Sequence, residues 1–209
     1  MSSPAAKFYI MLDLQDKMNT KVHPEWRDQD YAWFRAVWVE CGELADHCGY
    51  KWWKKQELNL KQIKLEIVDI WHFGMSMLLE KDHIDDIVDG LSSAWRAYKP
   101  QHIKILAAND NLAQSILSTR KFEPTRFWDL MSSVEMGINE LFKMYIGKNV
   151  LNFFRQDHGY KTGTYIKTWD GLEDNEHLSE ILDTMNAESD TFSDDLYKAL
   201  EERYSSLTD

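Results

Sequence analysis

Two acidic stretches decide the fold of this chain, WVECGELAD at residues 38–46 and KLEIVDIWHF at residues 64–73. In each stretch two carboxylates stand three positions apart, which is close to one turn of an α-helix. Apolar residues recur around them at helical spacing, so each helix is predicted to bury a face that carries a carboxylate. Ionised carboxylates that are buried together repel one another and require a positive partner. The four carboxylates belong to Glu40, Glu43, Glu66 and Asp69.

The positive partner is predicted to be a divalent metal ion. The nearest basic residues are lysines in or beside the loop that joins the two stretches, from Lys51 to Lys64. A ligand set made only of carboxylate oxygens favours Mg²⁺ or Mn²⁺ over Zn²⁺, which prefers nitrogen and sulfur. A single Glu-x-x-Glu pair is usually a solvated helix face. Two acidic pairs 26 positions apart, both interrupting apolar stripes, indicate a metal site instead.

The composition favours an all-α protein. With 209 residues the chain is long enough to bury its own core, and it is interpreted as a single domain, 1–209. It contains only four prolines and nine glycines, and no segment alternates apolar and polar residues as a half-buried strand does.

Helical periodicity and its interruptions divide the chain. We expect helices at about 5–20, 28–49, 60–80, 124–145, 148–159 and 193–204. The polar region 82–124 is interpreted as an inserted, cap-like segment with two helical stretches separated by Pro100.

Charge and cysteine content limit the partners and the compartment. A net charge of −11 argues against nucleic-acid polymers and anionic membranes as partners. Cys41 and Cys48 stand two turns apart on one predicted helix, so they cannot form a disulfide with each other, and their spacing matches no common zinc motif. No signal peptide and no apolar run of membrane-spanning length is recognisable. We therefore expect a cytoplasmic protein, located in the host cytoplasm if its source is viral.

One segment is basic in this acidic protein. Residues 141–168 contain five basic side chains and one acidic side chain, a local balance of +4. If the segment is helical, Lys148, Asn152 and Arg155 share one face. Arginine can bind a phosphate with two parallel hydrogen bonds, and lysine adds a point charge. A solvated basic face has the same pattern, but Mg²⁺ commonly bridges carboxylates to phosphates, which favours a phosphate-binding role here.

Polar and aromatic side chains that could bind a nucleobase occur in three places. Gln15 and Asn19 share a face of the first predicted helix, and each amide offers both a donor and an acceptor to the edge of a base. The rings that could stack on a base or a sugar are those of Trp52, Trp53, His72 and Phe73. Taken singly, each of these residues is more often a packing residue.

These motifs together resemble a known family. The segments MLDLQDKMN (11–19), ECGELAD (40–46), EIVDIWHF (66–73) and above all YIGKNVLNFFRQDHGYKTGTYIKTW (145–169) resemble the all-α dimeric dUTPases of the MazG-like nucleoside triphosphate pyrophosphatase superfamily. The acidic pattern is shared across the superfamily, whereas GKNVLNxFRQDxGY is specific to the dUTPase branch. The resemblance is weak only in 82–124 and after about residue 178.

The resemblance implies a homodimeric helical bundle with a short insertion that hydrolyses dUTP to dUMP and pyrophosphate. It implies two or three Mg²⁺ ions, or Mn²⁺, held by Glu40, Glu43, Glu66 and Asp69. Glu40 and Glu43 are the catalytic candidates, and Glu40 is favoured as the acceptor of the proton from water. The residues implied to bind base and sugar are Gln15, Asn19, Trp53, His72, Phe73 and Asn152. Those implied to bind phosphates are Lys148, Arg155, Tyr160, Lys161 and Lys167, some of them from the partner subunit.

Three alternatives stay open from the residues alone. A dCTP-specific or broad nucleoside triphosphate pyrophosphatase would use the same metal chemistry, because an amide flip exchanges donor for acceptor. A carboxylate-bridged di-iron bundle is suggested by Asp69 and His72, but the second Glu-x-x-His motif that such bundles use is missing. A non-enzymatic nucleotide-sensing protein would keep the pocket without turnover, although the intact carboxylate quartet argues against it.

Overall fold

The structure, a computed structural model, describes residues 3–185, 189 and 191–206. Regular structure in these residues is almost entirely helical, which confirms the all-α prediction. The helices are α1 (Pro4–Val22), α2 (Trp33–His47), α3 (Leu60–Leu79), α4 (Ile84–Ala97), α5 (Ile105–Thr119), α6 (Pro124–Ser133), α7 (Ile138–Asp157), α8 (Asp174–Thr184) and α9 (Phe192–Ser205). Short 3₁₀ helices cover Trp26–Asp28 and Tyr160–Thr162, and β1 (Thr168–Trp169) pairs antiparallel with β2 (Leu172–Glu173).

The chain divides into two compact units, one formed by the residues up to Leu141 and the other by the residues from Phe142 onward. In the first unit, α2 and α3 pack against each other, α1 packs against α3 and α4, and α5 packs against α2 and α6. Trp71 of α3 stacks on Phe127 of α6 with ring centroids 5.0 Å apart. Gly74 is required on α3, because an added Cβ would lie 2.4 Å from the ring of Phe122.

Local signals in the sequence start the helices of the first unit. Ser3 caps α1 by accepting a hydrogen bond from the backbone N–H of Ala6, and Pro4 takes the first helical position, where no N–H is needed. Asn59 caps α3 in the same way, through the backbone N–H of Gln62. These caps start the two helices that carry Gln15, Asn19, Glu66, Asp69 and His72.

The second unit is built around aromatic rings. Phe154 of α7 lies 6.0 Å from the ring of Trp169 and 5.4 Å from that of Tyr204. Glu173 and Glu176 form a capping box that starts α8, each side chain accepting from the other's backbone N–H. Helix α8 was not predicted from the sequence.

Two predicted helix boundaries are wrong. The helix expected at 124–145 ends at Ser133, because Glu135 adopts a left-handed conformation with φ of 57° and Gly137 follows it. A new helix then runs without interruption from Ile138 to Asp157, through the break that was expected before residue 148. Apolar periodicity continues across both places, which is why it did not reveal the turn.

The region 82–124 forms α4 and α5, which pack against α1 and α2 within the first unit. Its action as an inserted cap, and the description of 1–209 as one domain, stay predictions. Among the described residues, no helix has both the length and the apolar character needed to cross a bilayer.

Candidate metal centre

Three of the four predicted carboxylates meet between α2 and α3. Glu40 and Glu43 lie one turn apart on α2, and Glu66 faces them from α3. One oxygen of each carboxylate lies within 4.8 Å of the others. Glu66 is only 5% exposed, Glu40 is half-buried and Glu43 is exposed. Three negative charges at this separation repel one another, so the group fits a divalent cation that accepts hard oxygen ligands.

The neighbouring thiol is not a competing ligand. Cys41 follows Glu40 on α2 and is buried, and burial raises the pKa of its thiol to about 12. Its Sγ is also not one of the ligand atoms that lie within 4.8 Å of one another at this centre. Cys41 and Cys48 are both free, as expected.

Asp69 lies one turn after Glu66 on α3 and is half-buried. It is not one of the three carboxylates that approach within 4.8 Å. Its role as a fourth metal ligand stays a prediction.

His47 lies at this centre and was not predicted. Its Nε2 is 3.4 Å from Oε1 of Glu66, and it stands one turn after Glu43 on α2. The signal was present in the sequence, because residues 40, 43 and 47 share one face of a helix.

A cleft of about 420 Å³ lies beside the carboxylates, with Glu43, His47, Tyr50 and Lys51 in its wall. The ammonium group of Lys51 contacts the carboxylate of Asp46, which holds the lysine at the edge of the cleft. The cleft thus places hydrogen-bond donors beside Glu43 of the carboxylate group.

A buried polar network joins α1 to α3. Gln15 donates to Oδ1 of Asn19 over 2.9 Å, and its Oε1 lies 2.6 Å from Nδ1 of His72. Asn19 donates to Oγ of Ser76 over 2.9 Å, and Ser76 donates to the backbone carbonyl of His72 over 3.1 Å. The structure thus brings together Gln15, Asn19 and His72, which were predicted from two distant segments. Ser76 was missed, although it stands one turn after His72.

The predicted aromatic residues occupy different surroundings. Phe73 is half-buried, and its ring lies 6.2 Å from that of Trp33. Trp53 is 61% exposed in the loop between α2 and α3, edge-on to Trp52 at 5.6 Å. Their contacts with a base or a sugar stay predictions.

In the second unit, the predicted basic residues of α7 are anchored to the start of α8. Arg155 donates two hydrogen bonds of 2.8 Å to the carboxylate of Asp174, and a third of 3.2 Å to Asn152. Lys148 donates to Asn175 over 2.8 Å. Neither Asp174 nor Asn175 was predicted, because their pairing with α7 is a tertiary contact that local patterns do not report.

Asp174 accepts three hydrogen bonds from Arg155 and Tyr165. Its side chain is fully buried, and the hydrogen bond from Tyr165 is 2.9 Å long. Burial acts to raise the pKa of Asp174, but the hydrogen bonds and positive charge of Arg155 outweigh it and hold the pKa below its ordinary value. The carboxylate is therefore charged at neutral pH.

The other predicted phosphate-binding residues are more accessible. Tyr160 and Lys161 lie in the 3₁₀ helix Tyr160–Thr162, with the Tyr160 ring 5.8 Å from the guanidinium of Arg155. Lys167 pairs with Glu173 over 3.0 Å. Phosphate binding by this set stays a prediction.

The fold and the carboxylate group define a class, namely all-α proteins with a candidate divalent-cation centre between two packed helices. A more specific assignment comes from comparison with known families. The model of the dUTPase family matches residues 7–160, which is well over half of the chain. The chain therefore belongs to the dUTPase family. None of the curated proteins compared with the chain matches it significantly.

Proposed function

We propose that this protein hydrolyses dUTP to dUMP and pyrophosphate, with Mg²⁺ as the physiological cofactor and Mn²⁺ as a substitute. The observation that carries the proposal is the convergence of Glu40, Glu43 and Glu66 within a region that matches the dUTPase family. A hydrolase for a triphosphate needs positive charge to neutralise the phosphates, and hard divalent cations held by carboxylates supply it.

We assign two or three ions to the carboxylates of α2 and α3, with Asp69 completing the set. Bound Mg²⁺ would attract the phosphate oxygens and make a nearby water more acidic. Glu40 would accept the proton of that water. Its place in the group, with one oxygen within 4.8 Å of those of Glu43 and Glu66, supports this role, since a general base must lie within reach of the proton that it takes.

We assign the reading of uracil to the network between α1 and α3. Uracil presents carbonyl acceptors and an N–H donor, and the amides of Gln15 and Asn19 offer the complementary groups. The contact between Gln15 and His72 supports this role, since it fixes the orientation of both side chains. Phe73 lies one position further on and is assigned to crowd a ribose 2′-hydroxyl, and Trp53 is assigned to cover the base.

We assign sugar and phosphates to α7 and the segment that follows it. Asn152 would bind the sugar, and the phosphates fall to Lys148, Arg155, Tyr160, Lys161 and Lys167. The anchoring of Arg155 by Asp174 supports this role, because a fixed guanidinium loses less conformational entropy when it binds phosphate. We further propose a homodimer in which some of these residues serve the partner's substrate.

The proposed function is tested by pyrophosphate release from dUTP, dCTP, dTTP and UTP, each with Mg²⁺ and with EDTA. We expect turnover of dUTP that depends on the metal and far exceeds turnover of the other three nucleotides. Equal turnover of all four would support a broad pyrophosphatase. Binding of dUTP without any turnover would support a nucleotide sensor.

A further inference from the structure

A second cleft of about 700 Å³ lies in the first unit, lined by residues from three segments: 30–35, 77–82 and 120–122. We call it the arginine cleft. Its volume lies within the range of small-molecule sites, and none of the residues assigned above to metal, base or phosphate binding lines it.

The charged side chains of this cleft form no ion pairs within the described part of the chain. Four cations line it, those of Arg35, Lys81, Arg120 and Lys121. None of them forms an ion pair within the described part of the chain, whereas Arg27, Arg126 and Arg155 each pair with a carboxylate. Three acidic residues also line the cleft, and they too are without an ion pair among the described residues: Asp30, Glu80 and Asp82. The cleft can therefore supply both signs of charge to a ligand.

Two guanidinium groups of the cleft, those of Arg35 and Arg120, contact the ring of Phe34. The guanidinium carbon of Arg120 lies 3.7 Å from the ring centroid of Phe34, and that of Arg35 lies 5.2 Å from it. Arg120 ends α5 in a left-handed conformation with φ of 57°, at a position where glycine or asparagine is usual. Two guanidinium groups at one ring suit a phosphate, which has enough oxygens to accept from both.

The wall of the cleft suits a polar aromatic ring. Nε1 of Trp33 and Oε1 of Glu80 are buried and have no hydrogen-bond partner among the described residues. One is a donor and the other an acceptor, and each costs free energy while it stays unpaired. A nucleobase carries both complementary groups on a flat ring, and the exposed ring of Tyr31 stands beside Trp33 at 5.4 Å.

We infer that the arginine cleft is a second binding site, which takes a nucleoside phosphate with its phosphate at Arg35 and Arg120 and its base between Trp33 and Glu80. The inference goes beyond the proposed function and does not depend on turnover. The site lies close to the substrate residues, since Trp33 contacts Phe73 with ring centroids 6.2 Å apart.

The test is calorimetric titration of the full chain in EDTA with dAMP, dTMP and inorganic phosphate. Neither nucleotide carries uracil, and EDTA removes the ions that would draw phosphates to the carboxylates. We expect at least one of the two nucleotides to bind at least about tenfold more tightly than phosphate. Arg35→Gln/Arg120→Gln should weaken that binding at least about tenfold, because both charge-assisted contacts are lost. Arg96→Gln removes an exposed guanidinium elsewhere in the same unit and should change nothing.

A further variant tests the base end. Trp33→Phe keeps a ring but removes the indole donor. It should weaken nucleotide binding and leave phosphate binding unchanged. Nucleotide and phosphate affinities that are equal, or an affinity that the double arginine variant does not alter, would overturn the inference. The inference would also be overturned if the KM for dUTP of the double arginine variant rose by the same factor as its nucleotide affinity fell. In that case the cleft would belong to the substrate site.

Discussion

Glu66 is the least exposed of the three grouped carboxylates, so its orientation depends most on neighbouring side chains. His47 approaches its Oε1 at 3.4 Å from the neighbouring helix. A carboxylate that is held in place binds a cation more tightly than one that must be ordered at the moment of binding, because the ordering costs conformational entropy. His47 is therefore expected to act on the metal through Glu66.

At fixed neutral pH, His47→Ala should weaken Mn²⁺ binding about tenfold, since side chains that contact and orient metal ligands have effects of this size. His47→Gln should retain most of the affinity, because its amide can reach Glu66 as a hydrogen-bond donor. Titration with Mn²⁺ followed by electron paramagnetic resonance measures both. His83→Ala, an exposed histidine elsewhere in the first unit, is the control. Equal affinities in wild type and His47→Ala would remove His47 from the metal centre.

At the scale of elements, the contact between α1 and α3 sets the expected base selectivity. Asn19 and Ser76 connect the two helices through a buried hydrogen bond. Because these polar groups are buried, removing one of them removes a hydrogen bond of the network as well as the proposed contact to the base.

Asn19→Ala should raise the KM for dUTP and reduce the preference of the protein for dUTP over dCTP. The expected loss of transition-state binding free energy for dUTP is about 1–3 kcal/mol. The measurement is kcat/KM for both nucleotides in wild type and variant. Lys17→Ala, on an exposed side chain of the same helix, is the control. Equal losses on dUTP and dCTP would show that Asn19 supports structure and does not read the base.

The start of α8 is expected to stabilise the second unit through Asp174. Asp174→Asn removes one charge of a buried pair and should lower the free energy of unfolding by about 3 kcal/mol at pH 7. The folded-state pKa of Asp174 lies below its ordinary value of 3.8, so its stabilising effect is complete above that value and is lost as the pH falls below it.

Denaturant unfolding at pH 7 and pH 3 measures this effect. The stability difference between wild type and Asp174→Asn should be large at pH 7 and smaller at pH 3, whereas the exposed Asp170→Asn should match wild type at both. A difference that does not change with pH would contradict the assigned pKa.

The spacing of residues within single helices was enough to predict much of this fold. Features that depend on contacts between helices were not predicted. Periodicity located α1, α2 and α3 and placed Glu40, Glu43 and Glu66 on faces that meet. Periodicity could not predict the turn around Glu135, because the apolar pattern continues there although the backbone of Glu135 adopts a positive φ. The partner of Arg155 could not be predicted from local patterns either, since Asp174 stands 19 positions away in a segment whose only recognised feature was its acidic composition.

At the scale of the whole molecule, the proposed homodimer predicts complementation between subunits. Suppose that Glu43 and Arg155 serve one substrate from different subunits. A hybrid dimer of one Glu43→Gln chain and one Arg155→Ala chain then has both changes in one site and neither in the other, so one site is intact. Mixing the two inactive variants after partial unfolding and refolding should therefore restore dUTP hydrolysis. Mass spectrometry of differently tagged chains verifies the hybrids. No recovery in verified hybrids would mean that both residues act on the substrate of their own subunit.

The proposed function requires that the carboxylates of α2 and α3 hold the cation that makes dUTP hydrolysis possible. The most direct measurement follows Mn²⁺ binding and pyrophosphate release in parallel for wild type, Glu43→Gln and the exposed control Glu57→Gln. Glu43→Gln keeps the shape of the side chain and removes its charge, so the fold should be intact while both signals fall, turnover by at least about a hundredfold. Wild-type turnover in Glu43→Gln, whether Mn²⁺ binding is lost or retained, would show that the cation held by these carboxylates does not depend on Glu43 for dUTP hydrolysis, contrary to the proposal.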